Sequence, residues 1–536
     1  MMAGATETRL ISRDTSGVDA IAAVTIGLSA LLFALSLAAL FEIITISDPV
    51  AGIPIVTVLG GILVLLGGVV IGFGIGSYVG VVETQPSSSA GLVASATFSL
   101  VWFALGGIMA QVIGVGGITW LPIALIIGGA AFAVTAVLRE DIGSTLPAGA
   151  VTLFVGVVYL TGTVGPAWIW ELSWEQQASL TAEFVIPVGT LFCALLTGWA
   201  AAKTYGGFGA RGRRMGAYLL IYLNASSIVG VLFILIAFTT LKGVPGLFTG
   251  ATVGLGVGPT VFGVTLPISL PFVMNGASLF NEFQGVLPAI VGTIWLVIGA
   301  VLFAVPLGVG AAVFLTEYAE RGRFTQVVEV ATNGLWSTPS IVFGLFGFAF
   351  LVPRFGGNKS LISGMLTLGF MLLPLVLITS REAILAVPDE YRDASAALGV
   401  SKWQTIRSVV VPAALPGVVT GVILGVGRIA GETAPILLTM TGGTFVPGGQ
   451  TADVIGGFQF TATPPFVANP ELLQATTALP FQLYALITAG VGLGDTVSSP
   501  EQFQWATAFV LLFIVLSFYA VGIGARYYFR RKLQHE

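Results

Sequence analysis

Two charges interrupt an otherwise apolar stretch near the C-terminus. Arg428 and Glu432 lie four positions apart in Arg428-Ile429-Ala430-Gly431-Glu432-Thr433-Ala434-Pro435, so on a continuous helix they share one face. An Arg at a bilayer centre costs about 2.5–3.5 kcal/mol on insertion scales, which is tolerated where it pairs or faces a cavity. A guanidinium is also a planar fork that donates two bonds to a tetrahedral oxyanion. Two readings follow. Arg428 and Glu432 form a permanent ion pair that locks helices, or they form an anion site, with Glu432 holding Arg428 until an oxyanion competes and Thr433 adding a hydroxyl. Ser337, Thr338 and Ser340 can line a pathway or serve as ordinary interhelical contacts. Other chemistry has little material. Cys193 is the only cysteine and His535 the only histidine, so an intramolecular disulfide is impossible, and zinc, haem and His-based catalysis lose their support. No metal or cofactor is expected on this chain, and no catalytic residue.

A second polar stretch spans 388–412. Pro388 suits a helix start, with Asp389 and Glu390 favourable in the first turn. Ala394, Ala396, Ala397 and Leu398 are good helix formers, and Gly399 suits a left-handed helix end. Ser401 and Gln404 make an S-x-x-Q capping box for a second helix, with Trp403, Ile406 and Val410 on one face and Pro412 as its stop. The expectation is two short helices joined by a sharp turn: a compact element that transmits force, or simply a solvated loop.

The elements that position these residues are membrane spans. Charged types make up only 9% of 536 residues and apolar types 56%, against about 25% charged in soluble domains, and the mean hydropathy is +0.98. Twelve spans are expected in an all-α polytopic membrane protein: 20–46, 53–82, 91–115, 118–138, 147–166, 183–203, 216–240, 285–315, 327–352, 361–385, 414–440 and 503–528. The first run is too long for a signal-peptide core. In a cell membrane with both termini on the cytoplasmic side, only Lys242, Arg354 and Lys359 of the 21 basic residues fall outside, and Arg428 falls within a span. That asymmetry is the positive-inside pattern. The formal charge of −4 points to no nucleic-acid partner. Trp168, Trp170 and Trp174 look like an interfacial belt, and Glu317 and Glu320 like solvated residues at the inner face. The first half is poor in intramembrane charge.

The 388–412 stretch resembles the inner-membrane subunits of ABC importers. Their signature is Glu-Ala-Ala, three residues, Gly, nine residues, then Ile-x-Leu-Pro. Here Asp393, Ala394 and Ser395 occupy the first positions, Gly399 follows, and Val409-Val410-Val411-Pro412 closes the motif with spacing intact. The resemblance implies that this element, Trp403 included, docks on a cytoplasmic ATPase. This chain has no G-x-x-x-x-G-K-[ST] loop of its own, so ATP and Mg belong to that partner. Three further stretches resemble phosphate importer permeases of the PstA type: 306–318, 339–347 and the Gly-Glu-Thr-Ala-Pro run at 431–435. The resemblance covers about residues 215–530. It implies a PstC-type sister permease, two PstB-type ATPase subunits, an extracytoplasmic PstS-type phosphate-binding protein and surrounding lipid. Many PstA-type sequences carry a second Arg late in the fourth core helix. Ile378 stands there, and Arg381 three residues later is the substitute, unless the sister permease supplies the charge.

Residues 1–205 lie outside the resemblance and are read as a six-span domain of unknown role. Residues 206–215 are a Gly- and Arg-rich linker, and 216–530 the importer permease. The two halves lack the matching loops of an inverted-repeat secondary transporter. Such an ATP-independent carrier, and a permease for molybdate, sulfate or phosphonate, remain the alternatives. The outer loop at 442–502 is a candidate contact for an external binding protein.

Overall fold

The computed structural model describes residues 17–46, 49–50, 52–82, 84–112, 115, 117–171, 179–254, 256–261, 264–265, 267–276, 285–320, 322–442, 451–464, 466–488 and 500–535. Arg9, Arg13, Arg321, Trp174 and parts of the 442–502 loop (443–450, 465 and 489–499) lie outside these. Eleven helices are long and apolar enough to cross a membrane among the described residues, twelve if one bent pair counts as a span. That agrees with the count expected from hydropathy. The remaining secondary structure includes five two-stranded antiparallel ribbons in the loops. The chain forms two compact units, Met1–Leu235 and Ile236–Glu536.

The first unit holds α1 (Gly17–Leu40), α2 (Ile55–Val79), α3 (Leu92–Val112), α4 (Trp120–Val137), α5 (Glu140–Leu160), α6 (Ala182–Tyr205) and the start of α7 (Gly209–Leu247). Small residues let α2 and α5 touch backbone to backbone. A Cβ on Gly67 would lie 2.7 Å from the Gly149 carbonyl oxygen, and one on Gly60 2.9 Å from that of Gly156. Close approach of this kind replaces the hydrophobic drive that lipid cannot provide.

This unit is not empty of charge chemistry. Glu140 and Lys203 pair at 2.8 Å with side chains 0% and 1% exposed. Lys203 Nζ also donates to Ser144 Oγ at 2.7 Å, while Glu140 Oε2 accepts from the backbone N–H of Ser87 and Gly209 and from Arg213. Beside them buried Asp141 accepts from Ser77 Oγ at 2.8 Å and pairs with Arg139. The network ties the ends of α2, α5, α6 and α7. It also folds the 206–215 segment: Phe208 is buried and α7 begins at Gly209. The division between units falls later, inside α7. Hydropathy placed these charges in loops or at a span's end; only the meeting of four helix ends brings them into one cluster around buried Glu140, Asp141 and Lys203.

The second unit continues with α8 (Pro271–Met274), α9 (Leu287–Val313), α10 (Arg323–Ser337), α11 (Ser340–Phe346), α12 (Leu361–Leu385), α13 (Asp389–Ala397), α14 (Lys402–Thr405), α15 (Val411–Ala430), α16 (Ala434–Thr439), α17 (Leu479–Thr488) and α18 (Pro500–His535). Helix α12 is the hub. Its Leu368, Leu372 and Val376 are buried in one core with Leu296, Ala300 and Ala304 of α9 and Ile429 of α15.

Two expected spans differ from straight helices. The ninth, 327–352, is broken: α10 and the helix from Ser340 to Phe355 meet at 102°. Thr338 is extended at ψ 132° because it precedes Pro339, whose ring disfavours the helical region there. The eleventh, 414–440, ends at Ala430. Residues 431–433 are non-helical, and α16 starts with Pro435 in its first turn, where the missing N–H costs nothing. Arg428 and Glu432 therefore do not share a continuous helix face. Pro412 does not stop the second coupling helix either. A π-turn over Ile406–Val410 precedes it, with the Val411 N–H donating to the Ile406 carbonyl, and α14 runs through into α15. The widened turn accommodates the proline ring and its missing donor.

Candidate coupling element and anion pathway

The 388–412 element has the expected local form. Helix α13 starts after Pro388, Gly399 is left-handed at φ +71°, and the Ser401–Gln404 capping box is made from both sides. Asp393 and Ala394 are exposed, and Ser395 is buried with its Oγ donating to the Tyr391 carbonyl at 3.0 Å. Ile406 and Val410 are buried, but Trp403, on the same expected face, is 58% exposed, and Leu398 is 83% exposed. The turn thus presents apolar side chains outward from a capped frame.

What fixes this frame to the membrane helices is Arg392, which sequence reasoning passed over. Its Nη2 donates to Glu317 Oε1 at 2.9 Å and to the Ile384 carbonyl at 3.1 Å, and its Nη1 to the Val387 carbonyl at 2.8 Å and to Asp389. Glu317 is only 9% exposed, not solvated as expected, because the chain end beyond α9 meets the C-terminus of α12. A cation at a helix C-terminus satisfies carbonyls left without helical partners. Lys402 adds a second tie, with Nζ 5.2 Å from the centre of the Tyr318 ring. Both ends of the element are therefore fastened to the segment that closes α9.

The arginines are held by α10. Arg428, half-buried near the end of α15, stacks its guanidinium 4.3 Å from the centre of the Trp336 ring. No ion pair joins it to Glu432 among the described residues. The Glu432 N–H instead donates to the Ile429 carbonyl at 3.3 Å as the chain leaves the helix. Arg381 on α12 pairs with Glu329 on α10. A cavity of about 190 Å³ opens here, lined by Glu329, Thr332 and Asn333 of α10 and by Ile378, Arg381 and Glu382 of α12. Ile378 thus does border the arginine's cavity, as an apolar wall. Ser340 is the first residue of α11, and Thr433 immediately precedes α16. Their helices pack closely, since a Cβ on Gly344 would lie 2.8 Å from the Pro435 Cα. The second break thereby lies against α11, the helix that follows the first. Trp336 and Glu329 carried no sequence signal of their own, and only their seven-residue spacing on one helix marks them afterwards.

Residues 304–535 match the family described as the binding-protein-dependent transport system inner membrane component. The chain is 32% identical over 256 residues to the phosphate transport system permease protein PstA of Xylella fastidiosa (strain 9a5c), covering 48% of this chain and 76% of that protein. It is 39% identical over 166 residues to PstA of Haemophilus influenzae, covering 31% and 58%. It is 36% identical over 172 residues to the probable ABC transporter permease protein YqgI of Bacillus subtilis, covering 32% and 58%. The chain spans 58% of the length of the last two relatives. With helices that cross a membrane many times, this chain belongs to the family of binding-protein-dependent inner-membrane transport components. The matched region lies in the second unit, which carries both the coupling element and the arginines.

Proposed function

We propose that this chain is the permease subunit of an ATP-driven importer of inorganic phosphate. The observation that carries the reading is the tie at Arg392, which joins the exposed turn at Gly399 to two membrane helices and so gives an ATPase docked there a lever on the pathway. The ATPase, with its ATP and Mg, is a partner subunit present twice. A sister permease completes the pathway, and an external binding protein delivers substrate at the opposite face. The 388–412 element then faces the cytoplasm, and both termini lie on that side. The arginines and the PstA relatives favour phosphate within the oxyanions. Arg428 and Arg381 are its contacts along the pathway, with Ser340, Thr433 and Glu432 at the neighbouring helix breaks. Arg428→Gln is expected to abolish uptake of radiolabelled phosphate by the assembled transporter while leaving assembly intact. Normal uptake would remove Arg428 from the pathway. Competition by sulfate or molybdate at equal strength would replace phosphate by another oxyanion.

A further inference from the structure

One rigid helix holds both pathway arginines. On the 15-residue α10, Glu329, Thr332, Asn333 and Trp336 recur at three-, four- and seven-residue spacing and so share a face. Glu329 pairs with Arg381 and Trp336 covers Arg428. At its far end α10 is cut from α11 by the extended Thr338–Pro339 step and a 102° bend. Such a joint lets α10 tilt without carrying α11 with it. A tilt about that joint displaces Glu329, two turns away from it, more than Trp336, which lies beside it.

A carboxylate offers a guanidinium the same two-oxygen edge that a phosphate does. Glu329 therefore sits where an oxyanion would sit. The pair is only partly buried, with side chains 45% and 32% exposed, and partly exposed pairs hold weakly. The cavity around it, about 190 Å³, is many times the roughly 10–15 Å³ that one water requires. Ile378 leaves Arg381 as the one basic side chain on that lining among the described residues, and Glu382 adds negative charge that disfavours a resting anion.

Resting on the oxyanion-import reading, we infer that Glu329 is a gate residue: its carboxylate occupies the anion site of Arg381, and substrate passes when α10 moves and the oxyanion takes Glu329's place. This gives Glu329 and Arg381 opposite roles, although they form one ion pair. Arg381 attracts the substrate and Glu329 competes with it.

The test measures equilibrium binding of radiolabelled inorganic phosphate to the assembled transporter in nanodiscs, without the external binding protein, beside ATP-driven uptake. Glu329→Gln is expected to tighten phosphate binding about two- to fivefold, the worth of a competing, partly exposed ion pair. Arg381→Gln is expected to weaken it about tenfold or more, with Arg381→Lys in between because the point charge survives and the fork does not. Loss in both variants, or no change in Glu329→Gln, makes the pair a structural clasp and overturns the gate. Failure of Glu329→Gln to assemble, with Glu329→Asp restoring assembly but not altering binding, overturns it as well. Wild-type phosphate uptake without the opposite shifts sinks only the gate. Absent wild-type phosphate uptake sinks the phosphate reading itself.

Discussion

The two units treat buried charge in opposite ways. In the first, Glu140 and Lys203 are withdrawn from solvent and pair with each other, Lys203 also donating to Ser144 and Glu140 Oε2 accepting from Ser87, Gly209 and Arg213. In the second, Arg428 lies half-buried on an aromatic face, and Arg381 lies at a cavity against a partner that is itself exposed. A pair closed off from solvent offers no open site to a ligand and acts as a clamp. An arginine with an aromatic or exchangeable partner keeps donors that a ligand can take. Charge alone does not mark a working site in a membrane helix; the accessibility of the charged group does.

The sharpest way to break this contrast is Lys203→Met. It leaves Glu140 buried without its principal partner, and removal of one member of a buried pair costs about 3–5 kcal/mol. Thermal unfolding followed by size-exclusion should show a large loss of folded protein, with phosphate uptake per folded molecule unchanged. Reduced uptake per molecule at normal stability would give the first unit a transport role. Next in size is Arg392→Gln, which removes the tie to Glu317 and to the carbonyls of Ile384 and Val387. A stranded buried acceptor costs about 1–3 kcal/mol, here felt locally, so the expected outcome is ATP hydrolysis without matching phosphate uptake. Coupled hydrolysis and uptake in that variant would show that the tie transmits nothing. The smallest effect is expected from Trp336→Leu. A cation–π contact is worth about 0.5–2 kcal/mol, so uptake should change severalfold while thermal stability barely moves. A stability loss with unaltered uptake would make Trp336 and Arg428 another clamp.

Much of the 388–412 element was legible from local chemistry. Pro388, Gly399 and the Ser401–Gln404 box act within a few residues of themselves, and each made the predicted structure. Pro412 misled because its effect depends on the preceding turn, which could widen instead of ending the helix. Arg428 and Glu432 misled in the same way: four-residue spacing marks a shared face only while the helix continues, and Gly431 with Pro435 ends it. Glu317 was read as solvated because its partner Arg392 is 75 residues away.

The amino-acid sequence by itself determined the membrane class, the number of spans and the local form of the coupling turn. These depend on apolar run length, backbone propensity and side chains that bond their own neighbours, all of which act over short separations. Only the tertiary structure decided which charges are spent and which are available. Lys203 meets Glu140, Arg392 meets Glu317, Arg381 meets Glu329 and Arg428 meets Trp336 because helices distant in sequence pack side by side. A guanidinium's role follows from the group opposite it, and packing chooses that group.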